Sequence, residues 1–136
     1  MLTHSEKIRV RYGETDQMGY VYYGNYALYY EVGRVELLRS YGIAYRDLEK
    51  QGIGLPVLHF DIKYFKPARY DDLISVRTSI VDKPTSRITF HYECLNEEGQ
   101  TLNSGKVTLV FIDIASGKPI RCPDYLEALF LQHFHE

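Results

Sequence analysis

The chain has 136 residues, 45% of them hydrophobic and 25% charged, with a formal net charge of -2 and only five prolines. That length fits a single domain over residues 1–136 with one core, and the composition excludes a disordered or fibrous chain. The near-balanced charge argues against nucleic acid as the main ligand, because phosphate binding leaves a basic excess on a domain, while a local basic cluster for a small phosphorylated ligand stays open.

In chain order, the first predicted element is a half-buried strand over Lys7 to Tyr12, with Ile8, Val10 and Tyr12 on one face and Lys7, Arg9 and Arg11 on the other. A connection follows that holds Asp16 among Gly13, Gly19 and Gly24, residues that permit unusual backbone shapes. Asn25 is the expected cap of a helix running to about Tyr41, with Gly33 as its one breaker. Tyr26, Ala27, Leu28, Tyr29, Tyr30, Val32, Val35, Leu37 and Leu38 surround most of that cylinder, which predicts a buried helix. Glu31 and Arg34 stand at i, i+3 and are expected to form an ion pair.

A short surface helix is expected over Ala44 to Gly52. Period-2 alternation then marks strands over Leu58 to Tyr64, Ile74 to Ile80 and Arg87 to Cys94, separated by the turn signals KPARYDD and DKPTS. After NEEGQ, a last strand over Lys106 to Ile114 is apolar enough to be covered on both faces, and PDYLEALFLQHF reads as a C-terminal helix with Pro123 near its start. Four strands in a row joined by hairpin-length turns read as neighbours in an antiparallel sheet, so the fold class is α+β, that sheet wrapped around one long buried helix.

Cys94 and Cys122 lack a CxxC spacing and read as reduced thiols of a cytoplasmic protein. No stretch approaches the roughly 20 apolar residues of a membrane span, and the N-terminus lacks the apolar core of a signal peptide. His59 and His91 fall on polar strand faces without metal-like spacing, so no metal site is expected.

The chemistry concentrates at Asp16. The first amides of a helix have no intrahelical partner and carry the positive end of the macrodipole, so they bind an oxyanion or a polarised carbonyl. A carboxylate facing them across a substrate-sized gap supplies the other half of an acyl-transfer site, as a nucleophile or as a general base toward water.

The stretch DQMGYVYYGNYALYYEVGRVELLR, Asp16 to Arg39, resembles the signature of the hot-dog-fold acyl-CoA thioesterases of the 4-hydroxybenzoyl-CoA thioesterase type, and the element order resembles their fold over roughly Lys7 to Phe111. The resemblance implies hydrolysis of a small-to-medium acyl thioester to the free acid and coenzyme A. It implies a catalytic group of Asp16 with Tyr23, Gly24 and Asn25, the main chain near Tyr23 and Gly24 binding the carbonyl. Met18, Gly19, Val21 and Tyr26 are the expected acyl contacts, and Lys66, Arg69, Ser86 and Arg87 the expected cluster for coenzyme A. No cofactor is implied beyond the substrate's own coenzyme A. Subunits of the family join their sheets as homodimers, often paired into tetramers, with the active site at the interface. The chain departs from many bacterial relatives at Tyr23, where they carry a histidine, and at Gly24, where they carry proline or alanine. Two rivals share this reading of the residues: a thioesterase acting on acyl carrier protein, and a hot-dog module that binds acyl-CoA without cleaving it.

Overall fold

A computed structural model describes residues 1–134. Along the chain the elements are β1 (Leu2–Arg9), a 3-10 turn (Tyr12–Glu14), α1 (Asn25–Ser40), α2 (Tyr45–Lys50), β2 (Ile53–Gly54), β3 (Val57–Tyr64), β4 (Leu73–Ile80), β5 (Arg87–Leu95), β6 (Thr101–Val110), β7 (Ile112–Asp113) and α3 (Asp124–Leu131). Five strands pair antiparallel in the order β1-β4-β5-β6-β3, and β2 pairs with β7 apart from them. The long helix α1 lies on one face of the sheet, which is the α+β hot-dog arrangement.

The alternation in β4 and β5 maps directly onto the core. Ile74, Val76, Thr78 and Ile80 are all buried, as are Ile88, Phe90, Tyr92 and Cys94. Tyr30 of α1 stacks on Tyr92 with ring centroids 4.0 Å apart and donates its hydroxyl to Asn103 Oδ1 at 2.6 Å. Gly33 is a packing residue: a Cβ there would collide with the Thr78 hydroxyl and press to 3.0 Å from Val76. Its lack of a side chain brings α1 down onto the sheet.

Five expectations are corrected. β1 begins at Leu2 and ends at Arg9, so Tyr12 lies outside it in the 3-10 turn, exposed. The inward positions His4 and Glu6 interrupt the apolar alternation and bond to each other at 2.8 Å, which hides the strand's first half from a hydrophobic reading. β6 begins at Thr101, five residues before the expected Lys106, because its polar Asn103 is buried by its bond to Tyr30. It ends at Val110. α1 is not buried all round: Leu28 is 57% exposed and Val32 39%, since this chain's sheet covers one side of the cylinder only. Glu31 and Arg34 form no ion pair; Arg34 turns inward and is 8% exposed.

The fifth correction bears on the site. β3 and β4 are consecutive but not neighbours, for β3 pairs with β6 at one edge and β4 with β1 near the other. The KPARYDD segment between them crosses beneath the Asp16 loop, where Ala68 accepts the amide of Val21 at 2.8 Å. β3 is one of the two edge strands, and its Val57, Leu58, Phe60 and Tyr64 are exposed. No helix among the described residues is long and apolar enough to cross a membrane.

Candidate active site

The sequence Thr15 to Val21 closes into a miniature hairpin. Thr15 and Val21 form an antiparallel bridge, the Asp16 amide donates to the Tyr20 carbonyl at 2.7 Å, and the Gly19 amide donates to the Asp16 carbonyl at 2.9 Å. Gly19 has φ +80°, a conformation that costs a residue with a Cβ about 1 kcal/mol or more. Inside this turn Asp16 Oδ1 accepts the amides of Met18 at 2.9 Å and Tyr20 at 3.2 Å. Two amides thus orient the carboxylate, and Oδ2 has no protein donor among the described residues.

The helix start, Asn25, lies nine residues beyond Asp16. Gly24 flanks α1 in a helical conformation, and the amides of Asn25, Tyr26 and Ala27 turn back onto the carbonyls of Tyr22, Tyr23 and Gly24 at 2.9, 3.2 and 3.3 Å. The amides of Tyr23 and Gly24 have no protein acceptor among the described residues. Asn25 is not the cap that its residue type suggests: it is the first helical residue, and its Nδ2 donates to the Glu14 carbonyl at 2.9 Å.

Both features border one cavity of about 300 Å³. Asp16, Met18, Val21, Tyr23, Tyr26 and Lys66 line it, with Tyr20, Tyr64 and Phe65 adding aromatic rings and Pro67 closing the wall. Burial pushes the Tyr26 phenol up to about 12, so it stays protonated at neutral pH. Asp16 is the one carboxylate on this lining. Gly19 shapes the loop and Gly24 the helix start. Arg69 sits beside the loop with its guanidinium 4.8 Å from the Tyr20 ring centre.

Ser86 and Arg87 are elsewhere. Lys66 and Phe65 bond to Leu102 at one end of β6, whereas Arg87 pairs with Val110 at the other, eight residues or about 26 Å along the strand. A larger hollow of about 460 Å³ lies on the sheet face away from α1, but its acids and bases alternate and Arg77 is already paired with Glu93 at 3.1 Å. It offers no helix terminus and no free carboxylate beside one.

Glu14 is the residue that sequence reasoning passed over. Its carboxylate accepts the Arg11 amide and the Tyr29 hydroxyl on Oε1 at 2.8 and 2.9 Å, and the Arg11 guanidinium on Oε2 at 2.8 and 3.2 Å. Burial pushes its carboxyl up, but the hydrogen bonds from Arg11 and Tyr29 outweigh that and hold it below the usual value. The i, i+3 spacing of Arg11 and Glu14 is the signal the sequence offers for it.

The sequence model described as the thioesterase-like superfamily matches residues 10–130. The chain belongs to the thioesterase-like superfamily. It is 37% identical over 121 residues to the "putative acyl-CoA thioesterase YneP" of Bacillus subtilis (strain 168), covering 89% of this chain and 88% of that one. It is 31% identical over 125 residues to the acyl-CoA thioester hydrolase YbgC of Escherichia coli O6:H1, covering 92% and 93%. The crystal structure of DHNA-CoA thioesterase from Staphylococcus aureus superposes with a TM-score of 0.91 at 36% identity, covering 98% of this chain and 92% of that one. As a superfamily member with this fold and these relatives, the chain is a thioester hydrolase.

Proposed function

We propose that the protein hydrolyses a small-to-medium acyl-CoA thioester to the free acid and coenzyme A, with Asp16 and the start of α1 as its two working parts. The observation that supports this most is that one apolar cavity is lined both by Asp16, an oriented carboxylate with a free Oδ2, and by Tyr23, whose amide, like that of the adjoining Gly24, has no acceptor among the described residues. The acyl group enters among Met18, Val21 and Tyr26, and its carbonyl oxygen meets the amides of Tyr23 and Gly24. Asp16 Oδ2 takes a proton from the attacking water or itself attacks the carbonyl carbon. Charge developing on the carbonyl oxygen is met by donors already in place, each worth about 3–4 kcal/mol in comparable sites. The leaving thiolate needs little acid assistance, since a thiol's pKa is near 8.5. Coenzyme A enters only as part of the substrate.

The working assembly in this reading is a homodimer formed through β3. An exposed apolar edge strand is a template for pairing with another chain, and Val57, Leu58 and Phe60 lie on this one. Antiparallel pairing of two β3 strands about a two-fold axis sets Tyr64 of one subunit beside Val57 of the other. From there, β3, β6 and β5 of the second copy follow at about 4.8 Å each, which brings the Ser86–Arg87 turn of the partner subunit to within about 15 Å of the cavity. Lys66 and Arg69 from one chain and Ser86 and Arg87 from the other then supply donors for the phosphates of coenzyme A.

The test is thiol release from a series of aliphatic and aromatic acyl-CoA esters and from the matching carrier-protein thioesters. Turnover of the coenzyme A esters supports the proposal. Turnover of the carrier-protein esters alone moves the substrate to that carrier, and tight acyl-CoA binding without turnover replaces the enzyme by a binding module.

A further inference from the structure

Glu14 takes no part in the chemistry described above, yet it is bonded to more of the site's frame than any residue in the cavity. Its side chain is only 14% exposed and its two oxygens receive four hydrogen bonds, three from Arg11 and one from Tyr29 in the second turn of α1. Its carbonyl receives two more, from the amide of Tyr22 at 2.9 Å and from Asn25 Nδ2 at 2.9 Å. Three of these six contacts brace the Arg11–Glu14 turn itself, and the other three tie that turn to α1 and to Tyr22 ahead of it. Arg11 belongs to the end of the first strand's exit, Tyr22 and Asn25 flank the free amides of Tyr23 and Gly24, and Glu14 itself is two residues from Asp16.

We propose that Glu14 is the positioning residue of this site, fixing the start of α1 against the Asp16 loop so that carboxylate and oxyanion donors keep their mutual distance. The inference rests on the thioesterase reading given above. The physical reason is leverage. Asp16 and the Tyr23–Gly24 amides belong to segments that share one cavity but make no direct bond between their working groups. Their relative placement is therefore set by what ties the segments together: the Thr15–Val21 hairpin closes the loop itself, and Glu14 fastens that loop to the helix, its carbonyl to Tyr22 and Asn25 and its carboxylate to Tyr29. A displacement of about 1 Å in such a site costs on the order of a hundredfold in rate.

A merely structural carboxylate predicts a different outcome. Its loss lowers the melting temperature and the folded fraction, and the molecules that remain folded turn over at the normal rate. A positioning residue lowers kcat of the folded protein while leaving KM nearly unchanged, because the acyl pocket and the cations for coenzyme A are untouched.

The experiment measures kcat, KM and thermal unfolding for wild type, Asp16→Asn, Glu14→Gln and Tyr29→Phe on one acyl-CoA ester that wild type hydrolyses. The expected result is a kcat lower by about tenfold or more for Glu14→Gln and by a smaller factor for Tyr29→Phe, each with KM within about threefold of wild type. Glu14→Asp, which keeps the charge on a shorter arm, recovers part of the loss. Equal kcat per folded molecule in Glu14→Gln and wild type overturns the proposal. If Glu14→Gln fails to fold, Tyr29→Phe decides alone, and an unchanged kcat there overturns it. Absence of wild-type turnover on every acyl-CoA ester overturns the thioesterase reading and this proposal with it, whereas loss in Asp16→Asn with full activity in the Glu14 and Tyr29 variants overturns only the positioning role.

Discussion

The amide of Tyr20 donates to Oδ1 of Asp16 at 3.2 Å while the carbonyl of Tyr20 accepts the amide of Asp16 at 2.7 Å. The same side chain that offers a free oxygen to the cavity thus closes the loop that holds it. Two substitutions separate these roles. Asp16→Asn keeps an acceptor at Oδ1 and is expected to fold with a melting temperature within a few degrees of wild type. Asp16→Ala leaves the amides of Met18 and Tyr20 without that acceptor and is expected to lose about 1–3 kcal/mol. Thermal unfolding of the pair checks this, and equal stability of the two variants counts against a structural role for Oδ1.

The close approach of α1 to the sheet predicts a second stability effect. Gly33→Ala puts a methyl group against Thr78 and Val76, both fully buried, and overpacking of this kind costs about 1–3 kcal/mol. Urea unfolding gives the value directly. A neutral or stabilising Gly33→Ala, as helix propensity alone predicts for an exposed site, contradicts the packing described here.

Acid sensitivity follows from Glu14. Its folded-state value lies below the ordinary 4.5, held there by Arg11 and Tyr29 against the opposing effect of burial. The stability it contributes is fully present above about 4.5 and is lost as pH falls through the lower folded value. Glu14→Gln is therefore less stable than wild type at neutral pH, and the difference between them shrinks as the solution is acidified below 4.5. Unfolding measured from pH 7 to pH 3 tests this, and a difference independent of pH refutes it.

The edge strand predicts an effect on assembly. Leu58 and Phe60 are 52% and 37% exposed on β3, and Phe60→Lys places a charge on the paired edge. The expected outcome is a shift from dimer to monomer in analytical ultracentrifugation, with lower thiol release once Ser86 and Arg87 of the partner subunit are withdrawn. A variant that stays dimeric with full activity places the interface elsewhere.

Much of this was legible in the sequence, and the rest was hidden for identifiable reasons. β4 and β5 show unbroken alternation of apolar and polar residues because one face meets α1 and the other meets solvent, and their faces are read correctly to the residue. β1 and β6 are read short because each carries polar residues on its inner side, His4 with Glu6 and Asn103 with Tyr30, and a hydrophobic pattern has no place for a buried hydrogen bond. The neighbour of β3 was not legible, since alternation reports which face is buried and not which strand lies alongside. At the site, Asp16, Met18, Val21, Tyr23, Tyr26 and Lys66 converge on one cavity. Ser86 and Arg87 lie at the far end of β6 from that cavity. For Glu14 the sequence shows the i, i+3 pair with Arg11 but not the carbonyl that accepts from Tyr22 and Asn25, because main-chain acceptors leave no mark on a sequence.

Thioester hydrolysis is assigned to Asp16 and the amides at the start of α1 acting together. Its most direct test is thiol release from acyl-CoA esters by wild type and Asp16→Asn under identical conditions, with unfolding curves to show that both are folded. The account predicts turnover by wild type of at least one ester and a loss of about a hundredfold or more in kcat for Asp16→Asn, within the range that acid-base groups supply. A folded Asp16→Asn that matches the wild-type rate contradicts it.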